Sequence, residues 1–96
     1  MILDFNQLND QSIPSAEFCI VGAGPAGITL ALELGHNNRS VLLLEGGGRE
    51  FSEESQDVYV SDVVGDPLAL DLEFARLRYT GGSSGHWTGK CRPLDA

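Results

Sequence analysis

Basic side chains are scarce in this chain. Six Lys and Arg stand against fourteen Asp and Glu, a formal net charge of −8. That balance argues against nucleic acid as a partner, which needs a basic face. Cysteine is scarce too: Cys19 and Cys91 are the two. They are too few for a disulfide framework, and no C-x-x-C or His/Cys cluster points to a metal. Cys19 falls in an apolar run and is expected as a small core residue. Cys91 lies among bases, where a packed thiol is expected ahead of a reactive one. Gly, Pro and Glu33 interrupt the longest apolar stretch, so no run of 18 or more residues predicts a membrane-spanning helix. Residues 1–16 lack the basic start and long apolar middle of a secretory signal. A cytoplasmic location is the default expectation. Internal repeats and low-complexity linkers are also lacking.

What is present is enough for one small domain: 96 residues, 42% of them hydrophobic. The organising stretch is residues 18–45. Phe18, Cys19, Ile20 and Val21 form a short apolar run that stops at glycine, the pattern of a strand buried on both faces. Gly22, Ala23, Gly24, Pro25, Ala26 and Gly27 then fill a G-x-G-x-x-G template. Gly22 suits the tight turn, Gly24 the close approach of a diphosphate, and Gly27 the packing of helix on strand. Free N–H groups at a helix start would receive the diphosphate, and Pro25 is at home in a first turn. Ile28, Ala31 and Leu34 recur at helical spacing as an apolar stripe. Gly35 is the expected C-cap, and residues 36–39 a polar loop, with His36 only a loop residue. Residues 40–44 form the second buried strand, closed by Glu45. A carboxylate there accepts hydrogen bonds from both hydroxyls of an adenosine ribose and repels a 2′-phosphate. The plain alternative is an ordinary glycine turn in an unrelated βαβ unit.

Around this unit the chain is less distinctive. Residues 1–15 read as a leader, with Ile2, Leu3 and Phe5 packing on the domain and residues 6–12 as loop. Gly46, Gly47 and Gly48 follow the acid, either to let ribose and diphosphate come close or as a flexible turn. Ser52 caps a short helix with Glu53 and Glu54 in its first turn. Residues 58–60 fit helix or strand, residues 65–67 are a turn, and residues 68–77 read as extended or irregular. Charge is uneven. Residues 45–73 hold nine acids and the one base Arg49, read as a solvated surface. Residues 76–92 hold Arg76, Arg78, Lys90 and Arg92 and no acid, a source of compensating charge for a diphosphate.

A second glycine-rich stretch, residues 79–95, combines Gly81, Gly82, Ser83 and Ser84 with His86 and Trp87. The glycines and hydroxyls offer donors to a phosphate, and the two rings offer a surface to an isoalloxazine. A surface loop with an incidental His and a half-buried Trp fits the same residues.

Taken together, GAGPAGI, a strand ending LEGG, and GGSSGHWTGKCRPLD resemble the glucose–methanol–choline family of flavin oxidoreductases. The resemblance covers most of residues 17–95, and its second motif is the more specific. It implies an α/β fold: a Rossmann-like βαβ FAD-binding unit forming the N-terminal part of a larger FAD/NAD(P)-binding domain. Residues 1–96 would be a partial FAD-binding domain, with the substrate domain absent. It further implies that Gly22, Ala23, Gly24, Pro25, Ala26 and Gly27 cradle the FAD diphosphate, and that Glu45 and Gly46 meet the adenosine ribose. Arg78 joins the cofactor site, and Gly81, Gly82, Ser83, Ser84, His86 and Trp87 run along the ribityl chain to the flavin. His86 followed by Trp and Thr looks like the pyranose oxidase branch. A covalent bond from His86 to the flavin is therefore an alternative to the expected non-covalent contact. Gly85 departs from the family, whose members often carry Asn there. The family's proton-accepting histidine and its partner lie beyond the residues present, so no catalytic residue is expected in this chain.

The expected function is thus FAD binding in an oxidoreductase that acts on CH–OH groups of a small alcohol or sugar, passing hydride from the substrate carbon to flavin. The alternatives are a fragment of an NAD-dependent dehydrogenase and a non-catalytic dinucleotide-binding module or truncated product.

Overall fold

The computed structural model describes residues 1–8, 14–62, 64–65 and 71–89. The fold is α/β and Rossmann-like. Strand β1 (Phe18–Val21) is followed by helix α1 (Pro25–His36) and strand β2 (Val41–Leu44). The strands pair in parallel, Phe18 opposite Val41 through Val21 opposite Leu44. Two further bonds extend the ladder. The Phe18 amide donates to Ser40 O at 3.2 Å and the Gly22 amide to Leu44 O at 2.7 Å. Parallel neighbours need a crossover, and α1 supplies it. At the start of the sheet Glu17 and Ser40 exchange backbone and side-chain bonds, and Arg39 pairs with Glu17 at 3.0 Å.

The turn into α1 follows from its glycines. Gly22 has φ +100°, a conformation that side chains with a Cβ rarely adopt. Gly24 is the N-cap and Pro25 the first helical residue. The expected stripe of Ile28, Ala31 and Leu34 is the half-buried face of the helix, while Leu30, Leu32 and Glu33 face outward. The helix end corrects the sequence expectation. Gly35 lies inside α1, His36 is its last residue, and Asn37 is the C-cap. Asn38 takes the left-handed position at φ +57°. The Arg39 amide reaches back to Leu34 O and the Asn38 amide to Gly35 O, both at 3.0 Å, the paired bonds of a Schellman motif. Asparagine tolerates that conformation because its short polar side chain bonds locally.

After β2 the chain is held by side chain-to-backbone bonds. Helix α2 (Glu53–Gln56) begins at Ser52, whose Oγ accepts from the Ser55 amide at 3.2 Å, as the sequence predicts. A 3₁₀ turn, Asp57–Tyr59, follows and takes up the ambiguous Val58 and Tyr59. Helix α3 (Leu72–Ala75) occupies part of the stretch expected to be extended or irregular. Gln56 ties these pieces together. Its Nε2 donates to Glu73 O and Arg76 O at 2.8 and 2.7 Å, and its Oε1 accepts from the Arg78 amide at 3.1 Å. A parallel bridge joins Gly48 to Tyr79 beyond β2.

Burial corrects a second expectation. Ala23, 3% exposed, is the one buried hydrophobic residue among those described. Phe18, Cys19 and Val21 are exposed, so β1 is not covered on both faces and Cys19 is not a core thiol. Leu44 of β2 is exposed as well. The physical reason is that two strands and one crossover helix leave most of the sheet without neighbours. Ile2, Leu3 and Phe5 are also exposed rather than packed on the domain, and Phe5–Gln7 forms a 3₁₀ turn capped by the Asp4 carboxylate. The expectations for Cys91, for Asp66 and Pro67 of the turn, for residues 68–70 and for most of the 6–12 loop lie outside the described residues. No helix among the described residues is long and apolar enough to cross a membrane.

Candidate functional site

Three loops converge at the C-terminal ends of β1 and β2. The first is the glycine turn. The amides of Gly24, Ala26 and Gly27 take no partner among the described residues, and the Ile28 amide is the first to close onto Gly24 O, at 2.9 Å. These are the donors that a helix start leaves free, at its positive end. The three fingerprint glycines have different causes. A Cβ on Gly27 would overlap Gly22 O and lie 3.2 Å from Gly22 C, so α1 presses directly on the turn. Gly22 is set by its φ. Around Gly24 nothing lies within 4 Å of a Cβ, so no contact among the described residues asks for glycine there. The space above it is open.

The second loop follows β2. Both oxygens of Glu45 are bound by backbone. Oε2 accepts from the Ala23 amide at 2.7 Å and Oε1 from the Gly47 amide at 2.9 Å. An ionised carboxylate has about four acceptor sites, so each oxygen keeps one for an incoming hydroxyl. The acid that ends β2 therefore also fixes the glycine turn at the end of β1.

The third loop brings in the second glycine stretch. Gly81 (φ +98°) and Gly82 (φ +53°) reverse the chain into a 3₁₀ helix, Gly82–His86. The Gly81 amide donates to Ala23 O at 2.7 Å, and the Thr80 amide donates to Gly48 O at 2.9 Å. A Cβ on Gly82 would stand 3.4 Å from the Gly24 Cα. Ser83 Oγ faces inward, accepting from the Leu77 amide at 3.3 Å, whereas Ser84 Oγ is turned back onto Gly81 O. Gly85 is open to solvent on one side, but its Cβ position is filled by the Tyr79 hydroxyl. Tyr79 in turn meets Phe51 edge-on, with ring centroids 6.4 Å apart.

Together the loops border a half-open cleft of about 310 Å³, lined by Gly22, Gly24, Pro25, Glu45, Gly82 and Ser83 and also by Tyr59, Arg76 and Leu77. That is the lower end of the range for a small-molecule site. Of the other residues predicted for the site, Ala23 is buried beneath the cleft and Ala26 and Gly27 lie in the first turn of α1 behind it. Gly46 and Arg78 pack on each other away from it: a Cβ on Gly46 would sit 2.7 Å from Arg78 Nη2. His86 and Trp87 are exposed at the far end of the 3₁₀ helix and do not line the cleft. Tyr59 and Leu77 are lining residues that sequence reasoning missed, and Arg76 is one it named only as part of a basic segment. The uneven charge of residues 76–92 was the one signal for any of them. Among the described residues no group of three or more His, Cys, Asp and Glu could hold a metal ion.

Residues 20–64 match the family of the NAD(P)-binding Rossmann-like domain. The match spans the fingerprint, α1, β2, Glu45 and α2, and stops short of the second glycine stretch. Comparison with curated proteins and with solved structures finds no match. Fold and family match agree on a Rossmann-like unit of the kind that takes a dinucleotide across the C-terminal ends of its strands.

Proposed function

We propose that this chain is the FAD-binding N-terminal portion of an oxidoreductase acting on CH–OH groups of alcohols or sugars. The observation that carries the reading is the meeting of the two glycine motifs in one cleft, with Gly82 against Gly24 and the Gly81 amide on Ala23 O. The first motif alone suits any dinucleotide. The second, with its Ser83 wall and its His86–Trp87 end, suits a cofactor with a flat ring beyond its diphosphate.

The residues fit such a group. The open space over Gly24 admits a diphosphate, and the amides of Gly24, Ala26 and Gly27, without a partner among the described residues, can donate to it. Glu45 is held with an acceptor site left on each oxygen for the ribose hydroxyls. His86 and Trp87, at the end of the same 3₁₀ helix, would be the residues to meet a flavin ring, by non-covalent contact. Flavin, when bound, supplies the electron-accepting chemistry. The part of the chain described here supplies placement and electrostatics, and a base for the substrate hydroxyl belongs to a further portion of the enzyme.

The test is an absorption spectrum of the protein expressed with its natural continuation. Oxidised-flavin bands that survive desalting are expected, and acid denaturation should release the colour. A colourless protein that stays so when given FAD would refute the reading.

A second reading is a fragment of an NAD-dependent dehydrogenase. The description of the matched family, NAD(P)-binding, favours it, and Glu45 would serve an NAD ribose equally well. It leaves residues 81–87 without a task. A colourless protein that binds NAD would select it.

A further inference from the structure

We infer that Arg76, rather than Arg78, is the cation that faces the diphosphate of a dinucleotide in this cleft, an inference that rests on the dinucleotide reading above. Two arginines flank Leu77, and their surroundings differ. Arg78 is tied down by both its side chain and its backbone. Its Nη1 donates to Ser55 Oγ at 2.8 Å, its carbonyl accepts from the same hydroxyl at 3.1 Å, and its amide donates to Gln56 Oε1. Its guanidinium lies flat against Gly46, with Nη2, Cζ and Nε between 2.7 and 3.3 Å from that residue's Cβ position. These contacts fasten the loop after β2 to α2, and Arg78 does not line the cleft.

Arg76 has the opposite character. Its backbone is fixed, because its carbonyl accepts from Gln56 Nε2 at 2.7 Å and its amide donates to Leu72 O at 3.0 Å. Its side chain is exposed and makes no ion pair or hydrogen bond among the described residues, and Arg76 is one of the residues that line the cleft together with Gly22 and Gly24. The cleft also contains Glu45. A doubly charged diphosphate next to that carboxylate is repelled unless a cation joins it, and the partial charge of one helix start offsets only about half a charge. A guanidinium on a fixed backbone, with no partner for its donors among the described residues, matches phosphate geometry.

The test is a binding titration of the full chain with ADP, adenosine and 2′-AMP, comparing wild type with Arg76→Ala, Arg76→Lys and Arg78→Ala. Arg76→Ala should weaken ADP about tenfold at low salt, with a smaller loss as ionic strength rises. Adenosine should be unaffected, and Arg76→Lys should fall in between. Far-UV circular dichroism of Arg76→Ala should match wild type, since its side chain bonds to none of the described residues. Arg78→Ala should lower the thermal midpoint. Unchanged ADP affinity in Arg76→Ala, with wild type binding ADP, would overturn the inference and leave the dinucleotide reading standing. A loss confined to 2′-AMP would also overturn it, showing that Arg76 reads a ribose phosphate. A wild-type chain that binds none of the probes would overturn the dinucleotide reading itself.

Discussion

The Ala23 amide donates to Glu45 Oε2 at 2.7 Å, joining the most buried residue described to the acid that ends the second strand. Glu45 is thus a structural residue before any ligand arrives. Replacing it with Ala leaves the amides of Ala23 and Gly47 without their acceptor, and an unpaired buried amide costs about 1–3 kcal/mol. Glu45→Ala should therefore lower the stability of the ligand-free chain by roughly that amount, read from urea denaturation, as well as weakening a bound dinucleotide. An unchanged midpoint would mean that the acid serves the ligand alone.

The glycines of the fingerprint should separate in their effects. Gly27→Ala gains helix propensity of about 1 kcal/mol. It also drives a methyl group into Gly22 O, a backbone atom that cannot swing aside, and overpacking of this kind costs about 1–3 kcal/mol or more. The clash should win, and the chain should lose stability in the same denaturation assay. Gly24→Ala meets nothing within 4 Å, and at an N-cap the exchange of Gly for Ala changes stability by about a kcal/mol at most. Its effect should appear instead as weaker ADP binding by titration.

Tyr79 and Gly85 should behave as a coupled pair. Gly85→Ala places its methyl group on the Tyr79 hydroxyl and 2.9 Å from the ring carbon that bears it. The single variant should be destabilised. Adding Tyr79→Phe removes the hydroxyl and should restore part of the loss, since the ring carbon remains. A double-mutant cycle measured by thermal melting should give a coupling of about 0.5–3 kcal/mol, whereas additive effects would contradict the contact.

The left-handed residue at the end of α1 gives a fourth outcome. Asn38→Ala should cost about 1–2 kcal/mol, the penalty for a Cβ in that conformation without a local polar bond. Asn38→Gly should be neutral or stabilising. Equal melting of the two variants would argue against the Schellman geometry.

The strand–turn–helix–strand unit was legible because its signals are local. An apolar run stopping at Gly22, a stripe at Ile28, Ala31 and Leu34, and a second run closed by Glu45 each report on their own segment. The Ser52 cap was legible for the same reason. The end of α1 was not, since Gly35 and Asn38 both suit a left-handed turn and the choice depends on how many helical bonds the chain completes. Burial was not legible either. An apolar strand implies cover, but what covers it lies elsewhere, and here Val21 remains 82% exposed. In the site, the fingerprint and Glu45 follow from spacing. Tyr59 and Arg76 reach the cleft through Gln56 and the two short turns around it, and no periodicity encodes that route.

The latch from the Gly81 amide to Ala23 O has a kinetic consequence. The residues it joins are distant in the chain, so it forms only after a long loop has closed, at an entropic cost that rises with the logarithm of its length. The cleft is thereby expected to assemble late and to open early. Any molecule that grips both walls at once acts as a clamp on that closure, and resistance of the chain to proteolysis should rise with its concentration.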